Sequence, residues 1–306
     1  MKERNLIGVD VGGTKCAITL GRSNGDSIEI TDKEGFATTV VDETIENLKT
    51  AISKVLRRNG LPEKGGADAI GISCGGPLSS EKGIVMSPPN LPGWDNIPIV
   101  KILSDKFGAP AALQNDANAC ALAEWIFGAG LIIDGRLYSG TNDNAGELGH
   151  LRLSEYGPVG YGKAGSFEGF CSGGGIRQLG QMKVKEVLMM GGKVSWCPDG
   201  DVEKITAKDI AVAAGEGDPL AKEIYAISAR MLGKGLSFVI DILNPEMIVI
   251  GSIYARNEGM MKPLMQEIID SEALPLASKV CRVVPAALGE SIGDYAALSV
   301  AANIKL

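Results

Sequence analysis

Apolar residues follow two rhythms along this chain. Short, nearly continuous runs predict buried strands: Leu6-Ile7-Gly8-Val9, Cys16-Ala17-Ile18-Thr19-Leu20, Ala69-Ile70-Gly71-Ile72-Ser73 and Ala111-Ala112-Leu113. Between them Ile45, Leu48, Ile52, Val55 and Leu56 recur at helical spacing, which predicts an amphipathic helix from Ile45 to Arg58. Residues 1 to about 114 therefore alternate strands and helices, the pattern of an α/β fold. Further on, Thr206 caps a helix running to about Ala214, and Asp218-Pro219 opens a longer one from Leu220 to about Leu243. Lys183 to Lys204 carries a weaker pattern, read as a helix and a loop, with no evident role for Cys197. No internal repeat and no low-complexity tract is visible.

Composition narrows the function classes. Of the 306 residues 45% are hydrophobic and only 5% aromatic, which favours an aliphatic α/β core over an aromatic-rich sandwich. That length suits two domains. The formal charge of −7 argues against nucleic acid as the main partner. The six cysteines, at 16, 74, 120, 171, 197 and 281, are scattered without paired spacing and read as free thiols of a reducing cytosol. Met1 to Asn5 lead straight into the first strand, so no signal peptide is expected, and no apolar run reaches the length of a membrane span.

Three polar segments carry the candidate chemistry. Asn115-Asp116 follows an apolar run and opens an alanine-rich helix. A carboxylate at a strand end beside a helix N-terminus stays ionised and suits a base that activates an alcohol, although the segment alone reads equally as an Asx helix cap. Asp10-Val11-Gly12-Gly13-Thr14-Lys15 joins two strand-like runs by a tight turn. There glycine lets backbone approach a phosphate, Thr14 and Lys15 can donate to it, and Asp10 would act through Mg²⁺ or its waters. It is neither a P-loop nor a dinucleotide fingerprint. The third segment sets Glu147 three residues before His150, the single histidine, with Glu168 and Ser172-Gly173 beyond. Carboxylates and an imidazole pair donors and acceptors with the vicinal hydroxyls of a sugar.

Together these segments resemble the ROK family of bacterial sugar kinases and sugar-responsive repressors. Asp10 to Lys15 is similar to its first phosphate motif. Ser73-Cys74-Gly75-Gly76-Pro77 and Pro89-Asn90-Leu91-Pro92-Gly93-Trp94 are similar to its sugar-side loops. Asn115-Asp116 resembles the catalytic pair, and Gly146-Glu147-Leu148-Gly149-His150 the family signature. Asn244 to Gly251 resembles the strand leading to the adenosine loop, and Leu288 to Ala297 the closing helix, so the likeness runs from about residue 6 to about 303. The resemblance implies an actin-like, hexokinase-like (ribonuclease H-like) α/β fold of two lobes with an interlobe cleft. One lobe would take residues 1–114 plus the C-terminal helix, about 290–306, and the other 115–289. It implies Asp116 as general base; Asn90, Asn115, Glu147, His150 and Glu168 around the sugar; and Asp10, Gly12, Gly13, Thr14, Lys15 and Gly251 toward ATP and Mg²⁺. The activity implied is that of a cytoplasmic, ATP-dependent hexose kinase. Its partners would be a sugar and ATP, with no nucleic acid and no membrane; a homodimer stays open.

The chain departs from the family pattern in three places. Where many members carry a zinc-binding Cys-x-Cys-Gly-x-x-Gly-Cys-x-Glu stretch, this chain has Val159, Tyr161 and Ser166 at the three cysteine positions, so no structural zinc is expected and packing around Tyr161 and Phe167 takes its place. The family's second phosphate loop, with the strand before it, is missing between Trp125 and Leu137, where only Gly128-Ala129-Gly130 suggests a remnant. A true deletion that impairs ATP binding, a rearrangement around those glycines, or a stretch beyond the sequence in hand would each account for it. The first would leave a sugar-binding protein with impaired or no kinase activity. Finally, Gly251-Ser252 replaces a usual glycine pair. A repressor role would need an N-terminal helix-turn-helix ahead of Leu6, for which the chain has no room.

Overall fold

Successive residues of a strand face opposite sides of its sheet, and the first strand divides its side chains accordingly. In the computed structural model, which describes residues 3–25, 27–116, 118–119, 131–133, 136–288 and 291–304, β1 (Arg4–Val11) turns Ile7, Val9 and Val11 into the main core. Leu6 faces the other side, with Leu298 and Ala301. β1 pairs antiparallel with β2 (Lys15–Ser23), and β2 with β3 (Ile28–Ala37). On its other edge it runs parallel to β4 (Ala69–Cys74). A small hairpin of β5 (Leu78–Ser79) and β6 (Ile84–Val85) follows, and β7 (Ala111–Asn115) then runs parallel to β4. The order β3-β2-β1-β4-β7 is that of the actin-like, hexokinase-like fold.

Helices cover both faces. The expected amphipathic helix spans Val41–Arg58 and begins earlier than its apolar stripe, with Asp42 and Glu43 in the first turn, where the helix dipole favours them. Leu48, Ile52, Val55 and Leu56 are fully buried, each contributing roughly 1.5–3 kcal/mol relative to exposure. Ile99–Phe107 adds Leu103 and Phe107 to this core. The opposite face receives the helix Ile292–Ala302. It lies so close that a Cβ at Gly71 would stand 2.0 Å from the Ala297 carbonyl oxygen, and Gly71 pairs across β4 and β1 with Gly8, which meets the same helix.

Two compact units emerge, residues 1–146 with 286–306, and residues 147–285. This division places 115–146 with the first unit, including a small hairpin of β8 (Leu131–Ile133) and β9 (Arg136–Tyr138). Gly128, Ala129 and Gly130 lie outside the described residues.

The second unit is mainly helical. Its core centres on the helix Pro219–Leu243, which buries Ile224, Tyr225 and Ala229 and packs with Met261, Met265 and Ile269 of Glu258–Glu272. Thr206 and Asp209 form a reciprocal capping box at the start of Ala207–Gly215. The stretch 183–204 resolves into the end of the helix Gly173–Met189 and a loop whose Val194, Cys197 and Val202 turn into the core, so Cys197 is apolar filling. β10 (Val159–Gly160) and β11 (Lys163–Ala164) form a hairpin, while β12 (Met247–Ile250) runs parallel to β13 (Arg282–Pro285). All four residues of β12 are only half-buried, although parallel strands are normally covered on both faces. Among the described residues β12 has no strand partner but β13. No helix among them is long and apolar enough to cross a membrane.

Candidate active site

Register alone gathers the first half of the candidate residues. Val11, Cys74 and Asn115 stand side by side at the carboxyl ends of β1, β4 and β7, the edge at which open α/β sheets bind ligands. The Gly12–Lys15 turn, the Gly75-Gly76-Pro77 loop and Asn115-Asp116 all leave from that edge. The turn is closed by the Gly12 amide donating to the Lys15 carbonyl at 3.1 Å. Thr38, at the end of β3, staples it from outside: its hydroxyl donates to the Gly12 carbonyl at 2.6 Å and its amide to the Thr14 carbonyl at 3.0 Å. Thr14 and Lys15 are left exposed.

Asn90 and Asn115 pack on these same loops. A Cβ at Gly13 would stand 2.4 Å from the Asn90 carbonyl oxygen, and one at Gly76 3.2 Å from the Asn115 side-chain Nδ2. Asn90 itself is exposed, while Leu91 and Trp94 are buried beneath the loop and hold it down. Asp116 is exposed at the first helical residue after β7.

Asp10 is the most perturbed carboxyl of this half. Burial pushes it up to about 6, helped by the negative charges of Asp116 and Asp294, while Lys15 and Lys33 pull it down. Asp294 sits in the first turn of the closing helix, where Lys33 of β3 pairs with it at 2.6 Å. Thr38 and Lys33 escaped the sequence reading, and Asp294 was seen only as part of the closing-helix segment, because each acts across a long separation in the chain.

The second unit holds the other candidates, on turns and caps rather than strands. Glu147 precedes the single helical turn Leu148–His150, with the His150 amide donating to the Glu147 carbonyl at 3.2 Å. That turn rests against Glu168: a Cβ at Gly149 would lie 3.2 Å from the Glu168 Cβ and 3.7 Å from the Tyr161 ring. Glu168 occupies the first turn of the helix Phe167–Cys171, N-capped by the Ser166 hydroxyl, which accepts from the Gly169 amide at 3.1 Å. Burial raises the Glu168 carboxyl; His150 and a hydrogen bond from Tyr161 lower it, and Glu147 raises it again. The His150 imidazole stacks on Tyr161 with ring centroids 4.3 Å apart and planes 17° apart. Glu147, His150 and Glu168 therefore share one surface with Tyr161. Gly251 follows β12 as the N-cap of Ser252–Arg256, and Ile253 just beyond it lies 3.6 Å from a Cβ built on Gly173. Among the described residues no group of three or more His, Cys, Asp or Glu is arranged to hold a metal ion.

The same chain matches known proteins almost end to end. The glucokinase of Thermotoga maritima is 30% identical over 98% of each chain, in an alignment of 325 positions, more than this chain has residues. The xylose repressor of Caldicellulosiruptor bescii is 29% identical over 88% of this chain and 71% of its own. Among solved structures, a ROK family glucokinase from Streptomyces griseus in complex with glucose and AMPPNP superposes with a TM-score of 0.71 at 26% identity, covering 97% of this chain and 99% of that one. The family model described as ROK family matches residues 6–303, and with that extent of match the chain belongs to the ROK family.

Proposed function

We propose that this chain is an ATP-dependent carbohydrate kinase that phosphorylates a hexose hydroxyl, with Asp116 as the general base. The observation that carries the reading is the convergence of the Gly12–Lys15 turn, Asn90 and Asn115-Asp116 on one strand edge, in a ROK member aligned throughout with a protein named glucokinase. Phosphoryl transfer proceeds through a loose transition state, so a protein contributes mainly positioning and charge neutralisation. The Gly12 and Gly13 backbone admits phosphate oxygens, Thr14 and Lys15 donate to them, and Gly251 contacts the nucleoside. Asn90, Asn115, Glu147, His150 and Glu168 fix the sugar, leaving one hydroxyl for Asp116 to deprotonate as the bond to phosphorus forms.

The residues present fit Mg²⁺. Asp10 is a half-buried carboxyl crowded by Asp116 and Asp294, and a divalent cation held through Asp10 would relieve that crowding. One or two carboxylates suffice where phosphate oxygens and water complete the shell. When bound, the ion neutralises charge on the transferring phosphate.

A second reading, sugar binding without turnover, is favoured by the half-buried β12–β13 pair with no third strand among the described residues. Sugar-dependent ADP release across hexoses and N-acetylhexosamines separates the two, with glucose tried first. Release at the expected mass of 31.9 kDa supports the kinase. Sugar affinity without release replaces it with the second reading.

A further inference from the structure

Val159, Ser166 and Tyr161, in and beside the β10–β11 hairpin, each have a distinct task here. The Val159 backbone is clamped by the Gln178 carboxamide, which accepts from its amide and donates to its carbonyl, both at 2.9 Å. Ser166 caps the helix carrying Glu168 and donates to the Gly160 carbonyl at 3.3 Å. Tyr161 is the outlier. It lies with Gly162 in the two-residue turn between β10 and β11, at φ of 49° and 70°. Both central residues of such a turn adopt left-handed backbone, for which Asn, Asp and Gly are preferred and a bulky residue is strained. Nor does burial explain the choice, since Tyr161 is 64% exposed. What the side chain does make is the stack on His150 and the hydrogen bond to Glu168. Strain held at a site by specific contacts points to a role for those contacts.

We propose that Tyr161 is a positioning residue of the sugar site, its ring setting the plane of the His150 imidazole and its hydroxyl anchoring the Glu168 carboxylate. Two groups from separate elements, the turn Leu148–His150 and the helix Phe167–Cys171, are thereby locked in one orientation. The proposal rests on the hexose-kinase reading and adds a residue to it. Lys163, on the strand after the turn, donates to the His150 carbonyl at 2.6 Å and fixes the backbone while Tyr161 fixes the ring.

The test uses full-length Tyr161→Phe and Tyr161→Ala, and exploits His150 being the only histidine, so that its imidazole protons form a unique NMR signature. Tyr161→Phe keeps the ring-current displacement of those protons, and Tyr161→Ala abolishes it. With turnover as the second readout, Tyr161→Ala raises the KM for sugar about tenfold and Tyr161→Phe about threefold, the scale of a lost stack and a lost hydrogen bond. Both variants keep kcat within about twofold and the KM for ATP unchanged, because only sugar orientation is disturbed. Wild-type imidazole signals that respond to no hexose overturn the sugar-site reading itself. A wild-type response that survives unchanged in Tyr161→Ala, or a parallel loss of both substrates with a lower Tm, overturns the role of Tyr161 alone.

Discussion

The two units hold their candidate residues by different means. In the first, a five-stranded sheet sets Val11, Cys74 and Asn115 abreast, and the functional turn is a direct continuation of a hydrogen-bonded ladder. In the second, Glu147, His150 and Glu168 stand on a single helical turn and a helix cap, tied by a ring stack and a few hydrogen bonds, among them Lys163 to the His150 carbonyl. On the proposed assignment, a strand edge gives rigidity to groups that would meet a phosphate of fixed shape. Turns and caps give positions that can be re-aimed by one substitution, a fitting arrangement for a family whose members are named for different sugars.

The sharpest way to break this comparison is Asp116→Asn. It removes the proposed base from the strand edge and leaves the proposed sugar-side turns intact, so turnover is expected to fall about 10²–10⁴-fold with sugar affinity nearly unchanged by calorimetry. Equal loss of both would dissolve the division of labour. Gly13→Ala tests rigidity itself. Its Cβ meets the backbone of Asn90 rather than a flexible side chain, so an overpacking cost of about 1–3 kcal/mol is expected, read as a lower Tm and a higher KM for ATP. An unchanged Tm would mean the edge yields as readily as the turns do.

A smaller effect separates the electrostatics. Asp10 ionises near 6 in the folded protein, so kcat/KM is expected to rise as pH passes through about 6, where the carboxylate becomes available to a cation. Asp294→Asn removes one repelling charge and releases Lys33, so this acid limb shifts to lower pH. For stability the sign reverses: a raised carboxyl supports the fold below its ordinary value of 3.8, and that contribution is lost as pH climbs through about 6. A limb that stays put in the variant removes Asp294 from the account. Last comes Ser252→Gly. Ser252 sits at φ of 48°, in the left-handed region that glycine adopts without strain. The substitution is expected to stabilise the protein by about 1 kcal/mol, measured by denaturant unfolding. No gain would show that the serine side chain compensates its own strain.

The sequence made visible what is local. Apolar runs marked β1, β2, β4 and β7, helical spacing marked Val41–Arg58, and Gly-Gly-Thr marked the turn because only a tight reversal uses such residues there. β3 was not anticipated. As a charged edge strand its Asp32 and Glu34 answer Arg58 and Lys54 of the neighbouring helix, so its alternation is of charge as much as of hydrophobicity. The site pairings that went unseen share one property. Lys33 and Asp294, or Tyr161 and His150, meet only after the chain has folded, and no periodicity encodes a meeting across the fold. The family resemblance pointed to Tyr161 by what was missing there; the stack supplied what is present.

The helix Ile292–Ala302 has a consequence for how the protein is made. It covers one face of a sheet whose strands were completed at Asn115, and Arg4 donates to the carbonyls of Ala301, Ala302 and Ile304 near the far end of the chain. A ribosome adding about 5–20 residues per second needs on the order of ten seconds to pass from β7 to that helix. Throughout that interval Leu6, Gly8, Ala69 and Gly71 offer an uncovered apolar groove. That face of the sheet gains its native cover only when the final turns of helix emerge.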